Sequence, residues 1–220
     1  MSSIRPNSLM NLSSSLTTLS LSYCDLRGKL ENNILCLPSI QTLDLSHNRL
    51  LVIEAPVWKR VIGNLTQLRE LILDSTNMSS IRPNSLMNLS SSLTTLSLSY
   101  CHLRGKLKNN ILYLPSIQTL DLTGNWDLEG SLLKSNWSYN SLNFLGLSGR
   151  MFSREFLDSI DNLKSLKHLA LPGCNFTGSI PVWLGNLTKL TYLDLSNNSF
   201  NGEILLPLLN FRSFLANASN

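Results

Sequence analysis

This sequence of 220 residues carries little charge, with only 15% of its side chains being Asp, Glu, Lys or Arg. The net charge is +4 and the basic residues are scattered, with no run of five or six, so nucleic-acid binding has no support. Long apolar runs are missing too. The nearest, residues 204–209, is broken by Pro207 and soon meets Arg212, well short of the about 18 residues a membrane span requires. The opening MSSIRPNSLMNLSSS is polar and has no apolar h-region, so no signal peptide is expected there. The kinase patterns G-x-G-x-x-G, H-R-D and D-F-G do not occur. Among four cysteines there is no C-x-x-C pair and no Cys–His spacing suited to zinc, so neither a metal nor any other cofactor is expected. His47, His102 and His168 fall on different segments, with no acidic orienter or activated Ser or Cys implied beside them. The chain is therefore not expected to be an enzyme.

What the sequence does have is a period. In residues 166–202, Leu166, Leu169 and Leu171 are followed by Cys174, Phe176, Gly178, Ile180, Leu184 and Leu187, and Leu190 restarts the pattern 24 residues on. The same opening position recurs at Leu16, Ile40, Leu68, Leu93, Ile117, Leu142, Leu166 and Leu190, at steps of 24 to 28 residues. A period of that length matches one coil of a solenoid and is far too long for a helix or strand repeat. Within each coil, L-x-x-L-x-L reads as a short strand with alternate side chains turned inward. Stacked coils would then align these strands in one parallel sheet, about 4.8 Å apart.

Each coil reads L-x-x-L-x-L-x-x-N/C-x-L, which resembles the leucine-rich repeat. The further G-x-I-P-x-x-L-G-x-L segment, complete in residues 178–187, is similar to the plant extracellular subtype. The resemblance covers essentially the whole chain and is closest to ectodomains of plant receptor-like proteins of disease resistance and of related receptor kinases. It implies an α/β solenoid: a right-handed superhelix with a parallel β-sheet on its concave face and a mostly irregular or short helical convex side. It also implies an extracellular or plasma-membrane parent receptor that senses a peptide or protein ligand and signals through a co-receptor kinase. Two other functions stay open: a secreted inhibitor of microbial wall-degrading enzymes, and a truncated gene product without activity.

The unbroken repeat predicts a single array over residues 1–220, with a partial coil in 1–15 and eight coils from Leu16 onward. Residues 1–48 recur almost unchanged as 78–125, an offset of 77 residues that equals three coil steps and so keeps every core position in register. Five positions differ: Asp25/His102, Glu31/Lys108, Cys36/Tyr113, Ser46/Thr123 and His47/Gly124. Met1 aligns with the internal Met78, so the chain reads as starting inside a coil, and RSFLANASN begins no new one. Uncapped ends predict self-association of the purified chain.

The position after each strand is filled by Cys24, Asn48, Thr76, Cys101, Asn125, Arg150, Cys174 and Asn198. Asn, Cys or Thr there can bond the turning backbone, whereas the Arg150 charge must leave the core, so local distortion is expected in the sixth coil. Cys24, Cys101 and Cys174 read as buried thiols and Cys36 as an exposed one. The long coil from Ile40 either displays Trp58, Lys59 and Arg60 on a bulged loop or tucks Trp58 over the core. Asp44, Asp121 and Asp194 share one L-D-L slot, a repeat feature lining the sheet.

Binding is expected on the exposed strand positions, because a sheet of many coils offers an extended rigid surface. The residue before the second leucine is Thr18, Thr42, Glu70, Thr95, Thr119, Phe144, His168 and Tyr192, which aligns Phe144, His168 and Tyr192 in one stripe. Tyr23, His47, Arg69, Tyr100 and Lys167 join Glu70 and this stripe as candidate ligand contacts. The alternative is that these are ordinary surface residues of the repeat. Nine N-x-S/T sequons occur. Asn64, Asn77, Asn88, Asn136, Asn175 and Asn186 are the candidate glycan sites. Asn11, Asn197 and Asn217 complete the set, with Asn197 placed where a glycan would obstruct the strand face.

Overall fold

The computed structural model describes residues 12–31, 37–107, 114–130, 141–150 and 152–201. Cys36, Asn11, Asn136, Asn217, most of the partial first coil and the tail after Asn201 lie outside them.

Each of the eight coils contributes one short strand to a single sheet: β1 (Thr18–Ser20), β3 (Thr42–Asp44), β5 (Glu70–Ile72), β6 (Thr95–Ser97), β8 (Thr119–Leu122), β10 (Phe144–Leu147), β11 (His168–Ala170) and β13 (Tyr192–Asp194). Neighbouring strands are parallel, and the register pairs Leu19 with Leu43, Leu71, Leu96, Leu120, Leu145, Leu169 and Leu193 in turn. That register follows from sequence. A one-residue slip would carry each inward leucine to the solvent face, and burying a leucine side chain is worth roughly 1.5–3 kcal/mol. Leu43, Leu71, Leu96, Leu120, Leu145 and Leu169 are all buried in one continuous core.

Three smaller parallel pairs follow the turns: β2 (Arg27–Lys29) with β4 (Leu50–Val52), β7 (Arg104–Leu107) with β9 (Asp127–Gly130), and β12 (Thr177–Gly178) with β14 (Ser199–Phe200). The remainder of each described coil is turn or short helix. Residues 83–88, 160–162 and 182–186 form 3-10 turns.

The longer step from Ile40 is absorbed by α1 (Ala55–Asn64). Pro56 favours the first helical turn, where its missing N–H costs nothing, and Val57, Trp58, Val61 and Ile62 fall on one side at helical spacing. The bulged-loop alternative is therefore overturned. Trp58 is buried, and its Nε1 donates to Ser85 Oγ at 2.8 Å, while Lys59 and Arg60 stay exposed. A second helix, α2 (Arg154–Ser159), is capped by Ser153, whose Oγ accepts from the Phe156 amide, and it buries Phe156 and Leu157.

The residue after each strand couples its coil to the one before. The Nδ2 groups of Asn48, Asn125 and Asn198 donate to the carbonyls of Leu21, Leu98 and Leu171, each at 2.8 Å. The Cys101 and Cys174 thiols do the same to Leu73 and Leu147, at 3.1 and 3.4 Å. Both thiols are buried as expected, but Cys24 is only half-buried. The sixth coil differs from expectation in where its strain falls. Its strand β10 keeps full register with both neighbours, and Arg150 is simply exposed. The cost sits instead on Ser148, whose buried Oγ has no hydrogen-bond partner.

Candidate functional site

The strand face carries two clusters of rings. Phe144, His168 and Tyr192 open β10, β11 and β13 and are paired directly by the register. Their rings pile face to face, with centroids 4.1 Å apart between Phe144 and His168 and 3.9 Å apart between His168 and Tyr192. Tyr192 remains 41% exposed, so this pile is open to a partner at its end. Such contacts hold rings in fixed orientations and lower the ordering cost of binding.

Beside the pile the next strand position is small: Gly146 in β10 and Ala170 in β11, where neighbouring coils carry Asp121 and Asp194. A Cβ on Gly146 would stand 2.5 Å from Thr123 Oγ1 and 2.6 Å from Asp121 Oδ1, so glycine leaves these two side chains room to bond each other. Asp121 accepts bonds from the amide and hydroxyl of Thr123. Burial nevertheless pushes its carboxyl above the usual aspartate value. Burial also pushes the His168 imidazole below the usual histidine value, against the pull of Asp121 and Asp194, which raise it. His168 therefore does have acidic neighbours, contrary to what its position in the sequence suggested. The spacing had placed them on separate coils, and the sheet brings those coils together.

The L-D-L carboxylates prove to be turn caps. Asp44 Oδ1 accepts from the Ser46 amide at 2.9 Å, and Asp194 Oδ1 accepts from the Ser196 amide at the same distance. Asp44 also accepts from the hydroxyls of Ser20 and Ser46. Among the described residues no group of three or more His, Cys, Asp or Glu is placed to hold a metal.

The second ring cluster lies where the strands end. Tyr23 and His47 stack with centroids 4.2 Å apart, and Tyr100 stands two coils beyond His47. The remaining candidates are dispersed. Arg69 and Lys167 are exposed, and their carbonyls accept the amides of the next coil. The Glu70 carboxylate accepts from Thr42 Oγ1 at 3.1 Å. Of the sequon residues, Asn64, Asn88, Asn175, Asn186 and Asn197 are exposed. Asn77 is half-buried, and its Oδ1 accepts from the Ser79 amide at 3.1 Å.

Sequence reasoning missed Arg49 and His102, which stand beside Tyr23 and Tyr100 at a common groove. It also missed a backbone rule. Wherever cysteine follows the strand, the next residue takes positive φ: Asp25 (53°), His102 (59°) and Asn175 (60°). The amide of the residue after it meets the asparagine of the following coil, as in the bonds from Leu26, Leu103 and Phe176 to the Oδ1 of Asn48, Asn125 and Asn198. The alternation of Cys and Asn coils was the available signal.

Known proteins share the repeat and the fold. The Leucine Rich Repeat model matches residues 15–37, 39–60, 92–114, 165–187 and 189–211, together just over half of the chain. Receptor-like protein 6 of Arabidopsis thaliana is 35% identical over 157 residues, covering 69% of this chain and 16% of its own length. Receptor-like protein Cf-9 of Solanum pimpinellifolium is 41% identical over 81 residues, 37% of this chain and 9% of its own. The chain thus spans a small part of the relatives it matches. Among solved structures, the Arabidopsis receptor kinase HAESA, in complex with the peptide hormone IDA and the co-receptor SERK1, superposes with a TM-score of 0.68 at 25% identity, over 90% of this chain and 33% of that one. Repeat, sheet and relatives agree, and the chain belongs to the leucine-rich-repeat family, with its relatives among plant receptor-like proteins.

Proposed function

We propose that this chain is a ligand-recognition segment of a plant cell-surface receptor, with all eight coils acting as one array and the strand face meeting an extended peptide or protein. The observation that carries the proposal is the continuous pile of Phe144, His168 and Tyr192 along three paired strands. Exposed aromatics fixed in place are the side chains from which interfaces draw most of their binding energy. The likeness to a receptor that binds a peptide hormone together with a co-receptor supports the same two kinds of partner here. The resemblance of the repeat to receptor-like proteins of disease resistance is the ground for a role in defence, and the receptor-like relatives support an extracellular position. Binding rather than catalysis fits the chemistry of the face, where Asp44 and Asp194 cap turns and the Cys101 and Cys174 thiols are buried.

The test is selection of a phage-displayed random 12-residue peptide library on the full chain, followed by affinity measurement on a Phe144→Ala/Tyr192→Ala variant. Peptides enriched by the natural chain should bind the variant at least about tenfold more weakly, a loss of about 1.4 kcal/mol. Failure to enrich any peptide, or equal affinity for both proteins, would overturn the proposal.

A further inference from the structure

A different surface lies along the edge where the strands end. In each of four successive coils the chain turns there through a residue with positive φ: Tyr23 (57°), His47 (59°), Ser75 (59°) and Tyr100 (54°). These four positions stand side by side on adjacent coils. Tyr23 and His47 stack on each other, whereas Tyr100 lies over Gly124, at which a Cβ would come within 2.5 Å of the Tyr100 ring. Ser75, between His47 and Tyr100, is too small to continue the stack. Rings on neighbouring coils of this molecule stack at 3.9–4.2 Å, so the serine interrupts the row and leaves a slot between His47 and Tyr100. The slot opens into a groove of about 800 Å³ lined by Tyr23, His47, Arg49, Ser75, Tyr100 and His102.

The one fixed charge among the residues lining this groove is that of Arg49, while Asp74, behind the lining, accepts the Ser99 amide and Asp127 lies in the adjoining hollow beside Tyr100 and His102. Arg49 and two imidazoles line it and no carboxylate does. The near-duplicate segments differ at this point. In the first copy Asp25 holds Arg27 in an ion pair at 2.8 Å. In the second copy the residue matching Asp25 is His102, so Arg104 has no such neighbour two residues before it and is paired instead across the strands with Asp127. Two of the five differences between the copies, Asp25/His102 and His47/Gly124, thus bear on this one groove. One places an imidazole where the other copy has a carboxylate, and the other puts a glycine under the Tyr100 ring, where a side chain would collide with it.

We infer that the groove is a subsite for an acidic peptide segment that presents an aromatic side chain. The ring enters over Ser75 between His47 and Tyr100. Carboxylates flanking it meet the fixed charge of Arg49 and the N–H of His102, an arrangement in which charge-assisted bonds and ring stacking reinforce each other. This rests on reading the chain as a peptide-recognition segment and assigns that peptide a chemistry and an address.

The experiment is calorimetric titration of the full chain with the tripeptides Ac-Asp-Phe-Asp-NH2, Ac-Asp-Ala-Asp-NH2 and Ac-Lys-Phe-Lys-NH2, and with trigalacturonate as an acidic ligand without an aromatic ring. Two variants accompany it. Ser75→Tyr fills the slot, and His102→Asp restores the acid. Both have precedent within the molecule, since Tyr23 and Tyr100 hold the same positive-φ position as Ser75, and Asp25 holds that of His102. Ac-Asp-Phe-Asp-NH2 should bind at least tenfold more tightly than the other three ligands, and at least tenfold more weakly to either variant. Equal binding of the lysine peptide, preference for trigalacturonate, no binding of the aromatic acid peptide, or indifference to Ser75→Tyr would each overturn the inference. Peptides selected through the Phe144–Tyr192 pile report separately. If their affinity survives while the tripeptide fails, only the groove assignment falls.

Discussion

Asn125 shows how much one side chain carries here. Its Nδ2 donates to the carbonyls of Leu98 and Leu122, both at 2.8 Å, and its Oδ1 accepts from the amides of Cys101 and Leu103 at 3.1 and 2.9 Å. Asn125→Ala orphans several buried groups at roughly 1–3 kcal/mol each, so a loss of about 3 kcal/mol or more is expected in urea unfolding. Ser148→Ala should cost nothing measurable in the same assay, because that hydroxyl already lacks a partner. Burial pushes the Cys101 and Cys174 thiols up to about 12. At pH 8 both should resist iodoacetamide in the folded chain while the half-buried Cys24 reacts, as mass spectrometry of the tryptic peptides will report. His168 supplies a pH effect. Its folded value lies below the usual one, about 6.5 in an unfolded chain. The unfolded chain therefore takes up the proton first, and the stability the ring pile contributes declines as pH drops through about 6.5. His168→Gln should flatten the dependence of the unfolding midpoint between pH 7.5 and 5.5. The ladder residues were legible from their fixed step after each strand. The ring contacts and the tuning of His168 were not, since they arise between residues a whole coil apart and depend on how each side chain turns.

The strands were the most readable elements, because L-x-x-L-x-L has room for one inward alternation and the repeat step fixes its partner. The helix α1 was harder to read. Its ten residues contain Pro56 and Gly63 and sit where other described coils have at most 3-10 turns or the six-residue α2, so length alone marked the coil as unusual. Its hold on the core is Trp58. Trp58→Ala removes a buried indole and its bond to Ser85, and a loss of about 3–5 kcal/mol in unfolding free energy is expected from such truncations. Lys59→Ala, on the exposed side of the same helix, should shift it by no more than about 0.5 kcal/mol. The pairs β2–β4 and β7–β9 were illegible for another reason. R-G-K has no apolar alternation, and its pairing depends on the partner segment being laid alongside by the coils.

Among the described residues the sheet stays in register even where β10 follows a coil whose turn Asn125 closes and precedes a coil closed by Cys174, with the exposed Arg150 at the corresponding place between them. The stacked leucines thus tolerate an irregular turn without passing it on. That tolerance gives the three-coil duplication a consequence. The groove at Ser75 takes Tyr23 and His47 from one copy and Tyr100 and His102 from the next, with Ser75 in the coil between them. It belongs to the seam, and neither copy possesses it alone. Repetition of an already foldable module has here generated fresh recognition territory at the junction, and a chain shortened by that one module would keep its architecture while losing the territory entirely.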